Sequence, residues 1–269
     1  MDVFTTQSLA GNPLSVFTDG RGLSDSEMQA LARETNLQET AFVFPREAAA
    51  AEAQEGVKVR IFNPEMKLPF GSHPALGAAT VPRTLKRKDG AVRAGDVSAS
   101  TILLDLNVGK VPVSFREDKD GLFGEMRQIP PVLGPTFDCG AAADALGLKA
   151  PDLEPDLPIQ TVSTGLPFVV VPIKLLTTLQ SLQLDLRKAY DYFKEHQAGT
   201  SGFYFITRDT GDPEISLWAR AISLNEEDPA TGSAAGCTSA LTVKYAEARP
   251  EESVVILLGV ESSVQANSL

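Results

Sequence analysis

Short apolar runs dominate the chain. "NPLSVFT" (12–18), "TAFVFP" (40–45), "VKVRIFN" (57–63), "STILLDLNV" (100–108) and "KVPVSF" (110–115) are rich in Val, Ile and Phe. "FVVVPI" (168–173), "GFYFITR" (202–208), "ISLWARAIS" (215–223) and "SVVILLGV" (253–260) continue the pattern. Bounded by Gly, Pro or Asp, these runs predict strands. Helical periodicity is rarer. "LSDSEMQALARETN" (23–36) offers Ser24 or Asp25 as N-cap, with apolar Met28, Leu31 and Ala32 behind it. "TLQSLQLDLRKAYDYFKEHQ" (178–197) reads as one capped amphipathic helix, and "CGAAADALGL" (139–148) as a short one. "HPALGAATVPRTLK" (73–86) and "GSAAGCTSALTVKYA" (232–246) differ from these, being small and apolar nearly all round. Such helices are buried, here with sheet wrapped around them.

The chain also repeats itself. "RIFNPEMKLPFGSHPALGAATV" (60–81) lies over "RAISLNEEDPATGSAAGCTSAL" (220–241) without a gap. Arg60 falls on Arg220, Pro69 on Pro229, His73 on Ser233 and Ala79 on Ser239, a constant shift of 160. "GNPLSVF" matches "GLPFVVV", and "ETAFVFPR" matches "SGFYFITR", at nearly that shift. Each half reads as strand, helix, strand, strand, acidic turn and small-residue helix. The expectation is an α+β protein of two similar lobes, residues 1–115 and 116–269, each a curved, mostly antiparallel sheet or barrel around a central helix. The last strand is a candidate to cross back to the first lobe.

Composition narrows the function classes. The chain has 269 residues, 43% hydrophobic and 22% charged, which suits a soluble globular protein of two cores. A net charge of −11 argues against nucleic acid or anionic membrane as partner. Two cysteines and two histidines supply no disulfide framework and leave a metal site poorly furnished, so neither metal nor organic cofactor is expected. "MDVFTTQSLAGNP" lacks the basic and apolar regions of a signal peptide, and no run of about 18 apolar residues is present; a cytoplasmic location is expected.

Each repeat presents a small-residue helix start after an acidic turn. Helix N-termini leave backbone N–H groups outside the intrahelical ladder and carry partial positive charge. "GSHPAL" and "TGSAAG" are therefore candidate sites for a small carboxylate, in a pocket expected between the lobes. Small residues that merely permit tight helix–sheet packing are the competing explanation.

"GNPLSV", "NLQETAFVF", "LPFGSHPALGAA", "STGLPFVVVP" and "EDPATGSAAG" fall in order from Asp2 to about Gly259. Together they resemble the PhzF-like isomerases, named from phenazine biosynthesis, with the diaminopimelate-epimerase-like fold. The resemblance implies a cofactor-free isomerase, usually a homodimer, acting on a small carboxylated metabolite in a biosynthetic process. It places the catalytic acid/base at Glu39, at the start of an apolar strand where loss of water helps a carboxyl both take and return a proton. It assigns His73 to hydrogen-bond substrate or relay a proton. Asp228 would accept from a substrate amino or hydroxyl group and Ser233 would donate at the helix start. Asn12, Gly71, Ser72 and Gly232 are candidate substrate-binding positions, the glycine and serine backbones offering N–H groups. Asn12 also reads as a turn residue, and Asp228 as an N-cap. Cys237 reads as a small buried hydrophobe and His196 as a surface residue at a helix end. Ser72 stands where the family usually has Gly. By the same resemblance a few strand residues would precede "MDVF" and a "GRPS"-like stretch would follow "LGV", and their loss would bear on lobe closure. Two further readings of the scaffold stay open: a catalytically idle metabolite- or protein-binding member, and a related epimerase or lyase.

Overall fold

The computed structural model describes residues 1–5, 7, 9, 11–46, 54–88, 101–119, 121–223, 227–245, 248, 249, 251–258 and 266–268. Asn225 and Glu226 of the acidic turn, Ala246 of the second small-residue helix, and Gly259 and Val260 of the last apolar run lie outside these. The chain divides into two compact units, Met1–Ile129 and Pro130–Leu269. Residue 115, where the sequence placed the division, lies inside a strand of the first unit.

In the first unit, β1 (Asp2–Val3) and β2 (Asn12–Pro13) form a small ladder. A seven-stranded sheet follows, in the order β3 (Ser15–Phe17), β4 (Thr40–Phe44), β5 (Val57–Phe62), β7 (Thr101–Leu106), β8 (Gly109–Asp118), β9 (Gly121–Met126), with β6 (Lys67–Leu68) on β5. Helix α1 (Asp25–Thr35) begins at a capping box: the Ser24 hydroxyl accepts from Glu27 N–H at 3.3 Å and Glu27 Oε2 accepts from Ser24 N–H at 2.8 Å. Helix α2 (Ser72–Lys88) is central. It touches β1, β3, β4, β5, β7 and β9, so the sheet curls around it. Ala75, Ala78 and Ala79 are fully buried, and a Cβ at Gly77 would strike Leu14. Small residues thus do serve packing along α2, as one explanation held.

The second unit repeats the plan. Its eight-stranded sheet runs β10 (Val132–Thr136), β11 (Gln160–Ser163), β12 (Pro167–Pro172), β13 (Gly202–Thr207), β14 (Leu217–Ile222), β16 (Ile256–Leu258), β17 (Ala266–Ser268), with β15 (Glu227–Asp228) on β14. The last described strand, β17, pairs with β16 inside this sheet. Helices α3 (Cys139–Ala145), α4 (Leu176–Ser181) and α5 (Leu186–Glu195) pack on one face. Helix α6 (Gly232–Lys244) packs on the other, its Ala234, Cys237 and Leu241 meeting β11 to β14 and β16.

Pairing confirms the internal repeat. Ile61 opposes Leu68 and Phe62 opposes Lys67; 160 residues on, Ala221 opposes Asp228 and Ile222 opposes Glu227. β3 and β4 are parallel, as are β12 and β13; β5 and β7 are parallel, as are β14 and β16. Both central helices start at matched positions, Ser72 and Gly232.

One expected helix is two. The stretch 178–197 breaks between Ser181 and Leu186. Arg220 on β14 donates to the carbonyls of Leu179 (2.8 Å) and Leu182 (3.2 Å), ending α4, and the Asp185 carboxylate accepts from Lys188 N–H (3.1 Å), starting α5. A tertiary arginine outweighs the periodicity.

Candidate active site

In the first unit, β4 and the start of α2 bring four of the expected residues together. Glu39 immediately precedes β4 and is mostly buried, and His73 is buried in the first turn of α2. Glu39 Oε2 lies 2.8 Å from His73 Nδ1, a donor–acceptor pair across 34 residues of sequence. Gly71 lies against the same carboxylate: a Cβ there would meet Glu39 Oε1 at 2.6 Å and Pro74 Cγ at 2.6 Å. The carboxylate therefore sits at the positive end of α2, where the helix dipole favours negative charge. Pro74 occupies the first helical turn, a position that tolerates a missing N–H. Ser72, the first helical residue, is buried. Asn12 is buried in β2 opposite Val3, so it is a strand residue and not a turn residue.

In the second unit, β15 delivers Asp228 to the start of α6. Asp228 Oδ1 accepts from Ala230 N–H at 3.0 Å and Oδ2 accepts from the Thr231 hydroxyl at 2.5 Å. This closes an Asx-type turn ahead of the helix. Asp228 thus holds the turn that leads into α6. The Thr231 side chain, at the N-cap of α6, makes no capping hydrogen bond to the helix. Ser233 is buried there, and its carbonyl accepts from the Thr164 hydroxyl at 3.1 Å. Gly232 is the first residue of the helix.

The remaining candidates sort as their chemistry suggests. Cys237 is fully enclosed, and burial pushes its thiol up to about 11. His196 ends α5, exposed, with Nδ1 2.8 Å from the Tyr192 carbonyl and its ring against Tyr192. The fully buried Tyr204 on β13, and Thr231, were not singled out from sequence. An Asp-x-x-Thr spacing before a helix is the signal for Thr231; nothing local signals Tyr204. Among the described residues no three His, Cys, Asp or Glu side chains converge as metal ligands, and no helix is long and apolar enough to cross a membrane.

Two curled sheets, each around a small-residue helix, define the diaminopimelate-epimerase-like class. A solved structure of a predicted epimerase from Pseudomonas aeruginosa shares this fold: TM-score 0.78, 32% identity, 99% of this chain and 88% of that one covered. Residues 1–266 match the model of the phenazine biosynthesis-like (PhzC-PhzF) proteins. The chain belongs to this PhzF-like family of isomerases. It is 33% identical over 242 residues to an isomerase of uncharacterised activity from Mesorhizobium japonicum, covering 87% of this chain and 76% of that protein. It is 29% identical over 265 residues to the trans-2,3-dihydro-3-hydroxyanthranilate isomerase of Pseudomonas aeruginosa, covering 97% and 84%.

Proposed function

We propose that the chain moves a proton between two carbons of a small carboxylated substrate, with Glu39 as the acid/base. The observation that carries this is the Glu39–His73 pair, a mostly enclosed carboxylate 2.8 Å from a buried imidazole nitrogen. Glu39 takes a proton from one carbon, the electron pair shifts through the substrate's conjugated system, and the Glu39 carboxyl, part-exchanged with solvent, delivers a proton to another carbon. Nothing is oxidised overall and no group leaves. His73 fixes the carboxylate's direction. Asp228, Ser233 and the backbone at Gly232 are assigned to substrate binding, with Ser72 and Asn12 as further candidates. The relative named for trans-2,3-dihydro-3-hydroxyanthranilate supplies the first substrate to try.

The test is deuterium incorporation from D2O into that acid, followed by NMR. Wild type incorporates label at the receiving carbon. Glu39→Gln keeps the shape but not the basicity, and loses turnover by about two orders of magnitude or more. Equal incorporation by both proteins removes Glu39 from the mechanism. The solved relative described as an epimerase carries a second reading, in which the proton returns to the carbon it left. The same spectra separate the two, since label at the original carbon with inverted configuration marks epimerisation.

A further inference from the structure

Tyr204 occupies the middle of β13 and is fully buried. It opposes Ala221 on β14, which opposes Asp228 on β15. Cross-strand partners share a face of the sheet. Tyr204 and Ala221 pack with Ala234 and Cys237, so this face is the one that meets α6. Two strand spacings of about 4.8 Å each separate the Tyr204 and Asp228 backbones, with the small Ala221 between them in the row. The phenol oxygen is enclosed and makes no hydrogen bond to the protein among the described residues. Burial first, then the charge of Asp228 and the thiol of Cys237, push the phenol well above its usual pKa, so it stays a donor. A buried donor without an acceptor is costly, and Phe would fill the same space without it. The equivalent row of the first unit reads Ala41, Ile61, Leu68, with neither hydroxyl nor carboxylate. The phenol and the carboxylate occur together in one row of one unit.

We propose that Tyr204 is a positioning residue for Asp228, its phenol O–H donating through one buried water to the Asp228 carboxylate at the start of α6. Such a water gives an enclosed donor its acceptor and ties the turn to the sheet beneath it. The inference rests on the proposed role of Asp228 in substrate binding.

Crystal structures and kinetics of wild type and Tyr204→Phe test it, with Tyr245→Phe as control. Tyr245 donates to Gln160 Oε1 at 3.2 Å and stands outside the site. The wild-type crystal is expected to show an ordered water within hydrogen-bond distance of both Tyr204 Oη and an Asp228 carboxylate oxygen. In Tyr204→Phe that water is gone and the Asp228 side chain is less ordered. Its KM rises about tenfold with kcat within twofold, as expected when one hydrogen bond supporting substrate binding is lost. Its melting temperature falls by no more than about 4 °C, the scale of one lost hydrogen bond, so the rise in KM does not come from loss of the fold. Tyr245→Phe leaves KM unchanged. A wild-type crystal without the bridging water overturns the proposal, and so does an unaltered KM in Tyr204→Phe. Should Tyr204→Phe fail to fold, the wild-type crystal alone decides. A wild type without isomerase activity would sink the functional reading instead, and the water would still decide the role of Tyr204.

Discussion

Gly71→Ala is the smallest change that should separate Glu39 from His73, the pair on which the proposed proton transfer rests. Gly71 does not have the positive φ that would strain an alanine, so the backbone accepts the substitution and only the new methyl matters. That methyl would stand 2.6 Å from Glu39 Oε1 and 2.6 Å from Pro74 Cγ. Ordinary contact needs about 3.5 Å or more, so something must retreat by about 1 Å. Pro74 is a ring held in the first turn of α2; the end of the Glu39 side chain is the part free to move. A retreat of that size away from His73 opens the 2.8 Å contact beyond hydrogen-bond range. A misplacement of about 1 Å at reacting groups costs about 100-fold in rate.

The expected result is therefore a fall of about 100-fold in kcat/KM for deuterium exchange. Stability should fall only by about 1–3 kcal/mol, the usual cost of one inserted methyl. A crystal structure of the variant should show the Glu39 carboxylate turned from His73. If Gly71→Ala keeps activity within threefold of wild type, the contact between Gly71 and Glu39 is not what places the carboxylate. The same holds if activity is lost while Glu39 stays 2.8 Å from His73 in the variant's crystal.

Two further outcomes probe the second unit. Leu241→Ala removes a fully buried side chain from α6 and should cost about 2–5 kcal/mol by urea denaturation; a cost under about 1 kcal/mol would mean α6 is not the core of its sheet. With a thiol reagent at pH 8, Cys139 should react in the native protein and Cys237 only on unfolding, because Cys139 is exposed and Cys237 buried. The Cys237 pKa is raised on folding, to about 11 from 9.0, so its stabilising effect is intact below pH 9 and is lost as pH climbs toward 11. Cys237→Ala should flatten that part of the stability profile, whatever it does to stability at pH 7.

The elements legible in sequence are those whose side chains alone decide them. β4, β5, β12, β13 and β14 are rich in aliphatic and aromatic residues, unbroken or alternating with Lys and Arg, and fall where their pattern puts them. β9 ("GLFGEM"), β10 ("VLGPT") and β11 ("QTVS") were missed, since glycine, proline or polar residues dilute them and cross-strand pairing supplies the order. β6 and β15 are two residues each, too short for periodicity, and the sequence showed only an acidic turn at each. At the site, motifs pointed to Glu39 and His73 separately. Neither spacing nor composition carries the contact between them, because it depends on β4 lying beside the start of α2. The tight approach of Gly71 to the carboxylate is a property of packing, absent from any local pattern.

The two units also explain why one carboxylate would serve as both acid and base. The pairing of Thr40 with Phe62, and of Phe203 with Ile222, makes Gly202 the counterpart of Glu39, one residue on from the Ser201 of the sequence match. A Cβ at Gly202 would already meet the Ile222 carbonyl oxygen at 3.0 Å, so a side chain there is crowded from its first atom. At the helix starts His73 is matched by Ser233, whose hydroxyl holds its proton at any working pH. Duplication therefore preserved the scaffold but left the second unit without a mirror-image base. A mechanism that lifts a proton on one face and delivers another from an equivalent group would need a second titratable side chain at one of these two positions. Proton removal and return by Glu39 alone needs none, and it predicts a specific isotope pattern. In mixed H2O and D2O some of the substrate's own hydrogen should reappear in product, since the carboxyl that took it is the one that gives it back. Complete washout at the first turnover, under conditions where product release is fast, would contradict return by Glu39 and require another donor.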